Sequence, residues 1–368
     1  MHMKKLLSIL LILVCVMTNS VYSQKTVPFY IGTGDKSDNS SITLAQLDLT
    51  TGAVTLTDSF TSPNGPGYVA ISPNKKNLYA VTGGNVILAY AIGPDKKLTL
   101  LNSQASHGAN PCHVSVHPSG KMVYLANYTG GSFSAYPVES DGNLGPASYT
   151  EQYSGKGPNT RRQEKAHAHY ATPTPDGKYV FVADLGSDKI MNYKVDQKSG
   201  KLIPNPAQPF FTGHPGAGPR HLVVHPSGKS VFLLNELDAT VTALSLSKDG
   251  VLTALKTYPT VPDGLVGNTS SAIHLHPNGK FVYVSNRGHN SISAFKFLQG
   301  GALEKIDEIT KAISIPRDFN IDPTGKFMVI GNQDKNNLTV YDVSPQTGKL
   351  TFRQESVAVK SPICIAFY

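Results

Sequence analysis

The chain has 368 residues, 40 % of them apolar, and a formal charge of +8 at neutral pH. That apolar share allows a packed core, and 33 Gly with 25 Pro suit a fold of many short strands and turns. No block of Lys and Arg marks a nucleic-acid tract, and so mild a positive excess suits a small anionic ligand better than a polyanion.

In chain order, Lys4 and Lys5 precede an apolar run from Leu6 to Met17, and small and polar residues follow through Ser23. Residues 1–23 therefore read as a secretory signal peptide, cut after Ser23 to leave Gln24 first. The run is too short to span a bilayer. Cys15 lies inside it after Val14, the wrong setting for lipid attachment. Without Lys4 and Lys5 the charge falls from +8 to +6. The remaining 24–368 are expected to form one extracytoplasmic domain, a monomer with no membrane span. Its two cysteines, Cys112 and Cys364, are expected to stay free and buried, although the compartment permits a disulfide.

Strands are predicted over 29–33, 42–46 and 52–56, and then one phrase repeats. Pro-x-Gly-Lys, or Pro-Asn-Lys-Lys in its first copy, follows Ser72, His117, Thr174, His225, His276 and Asp322. Its prolines, at 73, 118, 175, 226, 277 and 323, are 45, 57, 51, 51 and 46 residues apart. A period near fifty is that of a propeller blade. In each unit an alternating run such as 220–225 leads into the turn, an apolar run such as 281–285 follows, and two more strands complete the unit. Pro pre-sets φ for such a turn and Gly accepts φ > 0. The N-terminal strands begin at the second strand of a unit, and the chain ends on a lone first strand over 362–367. Joined, the two ends make a seventh blade and remove the free edges of an open ring. The predicted fold is all-β, a seven-bladed propeller of four-stranded antiparallel blades.

Equivalent positions sort the polar residues. Four and two residues before the proline the chain is nearly always apolar (Val69, Val114, Leu222, Ile273, Phe319), the face packed between blades. The alternate face, which carries Tyr68, His113, Tyr170, His221, His274 and Asp318, is expected to line the central channel. Six residues before the proline stand Gly67, Cys112, His169, Arg220, Ser271 and Arg317. Ten after it stand Gly83, Tyr128, Leu185, Glu236, Arg287 and Gln333. In an antiparallel hairpin these two positions meet at one rim. The repeat requires nothing particular there, yet His169, Arg220, Glu236, Arg287 and Arg317 gather in adjacent blades. An acid, an imidazole and three guanidiniums at one channel mouth suit a small carboxylate or lactone. His117, His225 and His276 are turn residues at the far end of the strands. Asn127, Asp184, Asn235, Asn286 and Asn332, nine after the proline, read as loop caps.

The longest spacing precedes Pro175 and carries Gly157-Pro-Asn-Thr-Arg-Arg-Gln163 and His167-Ala-His169, an expected pocket wall. His-x-His lacks partners with metal-site spacing, so no metal or other cofactor is expected. A phosphate-binding glycine loop and a nucleophile elbow are both absent from the sequence.

These residues, with Gly218-Pro-Arg-His221, Asn235-Glu-Leu237, Ser285-Asn-Arg-Gly-His289 and Pro316-Arg-Asp-Phe319, resemble the seven-bladed propeller lactonases. That family includes bacterial 6-phosphogluconolactonases and the fungal-type 3-carboxy-cis,cis-muconate lactonizing enzyme. The resemblance runs over essentially the whole mature chain and implies a metal-independent site on one propeller face. It puts His169 (or His167), Arg220, Glu236 and Arg287 at the family's proposed catalytic positions. The Pro that commonly precedes His-x-His in the family is Ala166 here.

The expectation that follows is hydrolysis of a sugar-acid lactone. Glu236 is the expected general base, with His169 as the alternative. Arg220 and Arg287 would stabilise the oxyanion, and His169 would protonate the leaving alkoxide. Gln163, His167, His221, His274 and Arg317 are the expected substrate contacts. A cycloisomerase, or a non-enzymatic binding or scaffold propeller, uses the same rim and stays open as an alternative.

Overall fold

The computed structural model describes residues 25–62, 64–265 and 267–368, and the signal-peptide reading of 1–23 lies outside them. Seven antiparallel sheets stand around a central channel. Blades 1 to 6 are numbered by their turn prolines, 73 to 323, and blade 7 is the closing one. Its strands, in order from the channel, are Pro362–Phe367, Thr26–Thr33, Ser41–Asp48 and Val54–Thr61. Phe29 pairs with Phe367 and Ile31 with Ile365, so the two chain ends complete one sheet.

Blade 3 departs from the four-stranded plan. Its outer edge is two short strands, Leu202–Pro204 and Phe210–Thr212, both paired to Lys189–Val195. The only helical element among the described residues is the turn Gln299–Gly301, and no helix there is long and apolar enough to cross a membrane.

The core is divided like the sheet. Seven apolar clusters lie one at each junction between neighbouring blades. Val114 packs between blades 1 and 2, Leu222 between 3 and 4, and Phe319 between 5 and 6, as their place before the proline predicts.

At the turn end, histidines link successive blades. The Nδ1 atoms of His117, His225 and His276 accept the backbone N–H two residues on. Each Nε2–H is thereby free to donate to a glycine carbonyl in the next blade's turn, Gly177 at 2.9 Å, Gly279 at 3.1 Å and Gly325 at 2.9 Å. Those glycines have φ of 69°, 73° and 76°, and a Cβ on Gly177 or Gly325 would meet the histidine ring. The residues nine after the proline cap loops as expected: Asp184 accepts the N–H groups of His167 and Gly186, and Asn127 donates to Ser106.

Candidate active site

The position six before each proline is a β-bulge. Pairing of the inner strand shifts between Pro66 and Tyr68, Pro111 and His113, Ala168 and Tyr170, Pro219 and His221, Ser270 and Ile273, and Pro316 and Asp318. A bulge interrupts the alternation of faces. Arg220 and His221, neighbours in sequence, can therefore line the same cavity. That cavity, ≈ 360 Å³ at the channel mouth, draws its lining from all seven blades, from Thr33 in blade 7 to Arg317 in blade 6.

Glu236 is the hub. Its Oε2 accepts from Arg220 Nε at 2.8 Å and lies 3.1 Å from Arg287 Nη2. Its Oε1 accepts from Arg162 Nη2. Burial alone would raise the Glu236 pKa. The charges of Arg287 and Arg220, with that of Arg162, outweigh it and hold the carboxyl well below its usual range. Arg220 is itself buried, and Nη1 donates to the Ser271 carbonyl and, at 2.9 Å, to His221 Nε2. Burial, and then Arg287, push its pKa down. Since a guanidinium only donates, His221 must accept through Nε2, which fixes a neutral ring protonated at Nδ1.

His169 stands beside this hub, with Nε2 3.9 Å from Glu236 Oε2. Burial, then Arg220 and Arg317, drive its pKa well below the usual histidine value, although Glu236 opposes them. At neutral pH it is an uncharged imidazole. Cys112 touches its other side, 3.3 Å from the His169 carbonyl, and burial pushes that thiol up to about 12. Beneath them Tyr68, His113, Tyr170 and His221 stack ring to ring across the channel, with centroids 3.8 to 4.5 Å apart along the series Tyr68–His113–Tyr170–His221. Of these rings, Tyr68 and His221 line the cavity.

The cavity takes in six of the nine residues singled out by sequence or their direct neighbours: His169, Arg220, His221, Glu236, Arg287 and Arg317. Three stand elsewhere. Gln163 is fully buried and fastens its loop, donating to the Leu185 carbonyl at 2.9 Å and to Asp188 at 2.7 Å. His167 stacks on Tyr128 and bonds the Tyr128 carbonyl and Glu164. His274 sits lower on the channel wall, 2.9 Å from Asp318. None of the three is part of the cavity lining. The residue missed was Arg162, which donates to both Glu236 and Tyr128 Oη from the loop. A loop outside the repeat offers no equivalent position to compare, so nothing in the sequence set Arg162 apart from its neighbour Arg161.

Four guanidiniums, those of Arg162, Arg220, Arg287 and Arg317, face the single carboxylate of Glu236 across this cavity. The Arg287 Nε is buried without a partner, and the Arg317 side chain forms no ion pair among the described residues. The arrangement has positive charge to spare and a neutral base next to a fixed anion. No three His, Cys, Asp or Glu among the described residues come together as metal ligands.

The family described as Lactonase, 7-bladed beta-propeller matches residues 28–367. A 6-phosphogluconolactonase of Bacillus subtilis is 37 % identical over 92 % of this chain and 97 % of its own length. One of Formosa agariphila is 32 % identical over 86 % of this chain and 92 % of its own. Among solved structures, the periplasmic gluconolactonase of Pseudomonas aeruginosa superposes with a TM-score of 0.87 at 28 % identity, covering 93 % of this chain and 99 % of that one. With matches spanning nearly every described residue, the chain belongs to the family of seven-bladed β-propeller lactonases.

Proposed function

We propose that this protein hydrolyses the ring ester of a small sugar-acid lactone in the channel-mouth cavity, without a metal ion. The observation that carries this reading is the neutral His169 imidazole 3.9 Å from a carboxylate that three guanidiniums keep ionised. His169 takes a proton from the attacking water, and Glu236 stabilises the imidazolium as it forms. The oxyanion that develops on the carbonyl oxygen is met by the guanidiniums of Arg287 and Arg220, both of which line the cavity. As the tetrahedral centre collapses, the C–O bond to the ring oxygen breaks and the imidazolium returns its proton there, leaving a hydroxy acid. Glu236 is the poorer base of the two, because guanidiniums occupy both its oxygens. Arg317 and His221 are left to hold the substrate's hydroxyls or acidic group.

The leader pattern in 1–23 and the likeness to a periplasmic gluconolactonase support action outside the cytoplasm. Sugar phosphates are scarce there, which favours lactones that carry no phosphate.

The test is turnover by residues 24–368 of glucono-δ-lactone, glucaro-1,4-lactone, 6-phosphoglucono-δ-lactone and carboxymuconolactone, followed by acid release with and without chelator. Hydrolysis that survives chelation and disappears in Glu236→Gln is the expected result. A folded protein silent on every lactone, or one inactivated by chelator, would overturn the reading.

A further inference from the structure

Two cations of the cavity lining come from loops rather than strands, Lys36 and Arg162, and of these Arg162 pairs with Glu236. Arg162 lies on the segment between blades 2 and 3, where the chain closes on itself. Gly157 N–H donates to the Gln163 carbonyl at 3.0 Å, and Gln163 N–H donates to the Asn159 carbonyl at 2.7 Å. This clip is pinned behind by Gln163, and of its side chains Arg162 alone lines the cavity.

The two oxygens of Glu236 are held differently. Arg220 and Arg287, from strands of the rigid ring, both hold Oε2. Oε1 is held by Arg162, whose side chain is 38 % exposed while that of Glu236 is 3 % exposed. Side-chain rotation alone, with no movement of a blade, takes Arg162 off Oε1. The other titratable and charged groups facing Glu236 are the neutral His169 and, farther off, Arg317.

Resting on the lactonase reading above, we infer that Arg162 is an exchangeable partner of Glu236: an acidic group on the lactone draws it away, so one residue both selects anionic substrates and strengthens the His169 base. The second effect is Coulombic. When the guanidinium turns to the substrate, one positive charge leaves the neighbourhood of Glu236, and the carboxylate then stabilises the His169 imidazolium more strongly. The acid sought is a carboxylate or a phosphate, since a guanidinium fork binds either.

The experiment compares wild type, Arg162→Gln and Arg162→Lys on three lactones: glucono-δ-lactone, which is uncharged, glucaro-1,4-lactone, which bears a carboxylate, and 6-phosphoglucono-δ-lactone. Arg162→Gln is expected to raise KM about tenfold or more for a charged lactone and less than twofold for the uncharged one. In the same variant the acid limb of kcat/KM for the uncharged lactone moves to higher pH. Arg162→Lys restores part of the charged-lactone preference. Whichever charged lactone loses more names the acidic group. Equal losses on all three lactones with an unmoved acid limb would make Arg162 a structural brace and overturn the inference while leaving the lactonase reading intact.

Calorimetric titration with gluconate, glucarate and 6-phosphogluconate separates the two ideas from the other side. If wild type binds the doubly acidic ligands more tightly and Arg162→Gln does not, while no lactone is hydrolysed, anion selection stands and lactone hydrolysis falls. Equal binding of all three ligands by both proteins would overturn the inference as well.

Discussion

Arg220 lies on the inner strand of blade 4 and Glu236 just past the end of the next strand, 16 residues on in the chain, and their side chains meet at 2.8 Å with only 2 % and 3 % of their surface exposed. An ion pair this deep is bound to its surroundings, because neither charge has water to return to.

Replacing Glu236 with Gln removes the counter-charge of three guanidiniums at once. The expected result is loss of about 3 kcal/mol of stability, measured by chemical denaturation, together with at least a hundredfold fall in kcat. Far-ultraviolet circular dichroism should keep its β signature. Full activity in this variant would remove Glu236 from the mechanism.

Arg287→Ala separates chemistry from stability. Its side chain is less deeply buried than that of Arg220, at 15 % exposed, and its Nε has no protein partner to lose. A kcat lower by about a hundredfold or more is expected, with a smaller stability loss than in Glu236→Gln. Steady-state kinetics beside a melting curve reads both.

Acid should destabilise the protein earlier than its carboxylates alone would dictate. Burial holds the pKa values of His113, His169 and His221 well below the ordinary histidine value. Below pH ~6.5 the unfolded chain takes up protons that these rings refuse, so stability falls as pH falls, by about 1.4 kcal/mol per pH unit for each ring. The loss continues until the depressed folded values are reached. Glu236 adds a loss of the same sign at lower pH, since a depressed carboxyl contributes stability only above its unfolded pKa. Denaturation midpoints should be nearly flat from pH 8 to ~6.5 and fall steeply below it, and His113→Phe should flatten that fall.

At the turn end, His276→Ala should cost about 1 to 2 kcal/mol, because the Gly325 carbonyl loses its donor. kcat should not change. A melting curve and an initial rate suffice, and a change in rate without one in stability would contradict the bracing role.

Cys112 and Cys364 are free thiols, and burial raises both pKa values, that of Cys112 to about 12. Alkylation at pH 7.5 should be slow for the native protein and fast for both once it is unfolded, even though Cys112 lines the cavity. Mass spectrometry after iodoacetamide resolves the two.

Much of this was legible in the repeat. The proline period and the complementary ends of 29–33 and 362–367 pointed to seven blades, and comparison of equivalent positions picked out Arg220, Glu236, Arg287 and Arg317. The bulges were not legible. Simple alternation assigns Arg220 and His221 to opposite faces, and only the skipped residue in the pairing turns both inward. Arg162 escaped for a related reason: blade phase orders residues on strands, whereas a loop outside the repeat aims each side chain by its own turns. The split outer strand of blade 3 was hidden as well, for 202–204 and 210–212 are each too short to show a period.

The sheet that joins residues 26–61 to 362–367 also sets a schedule. A ribosome makes the inner strand of blade 7 after every other strand, and the cavity needs groups from both sides of that seam, Thr33 and Ile363 among them. Until those last residues emerge, blade 7 lacks its inner strand and the cavity lacks the wall that Ile363 supplies. A chain cut short before residue 362 would lack the inner strand of blade 7 and part of the cavity wall.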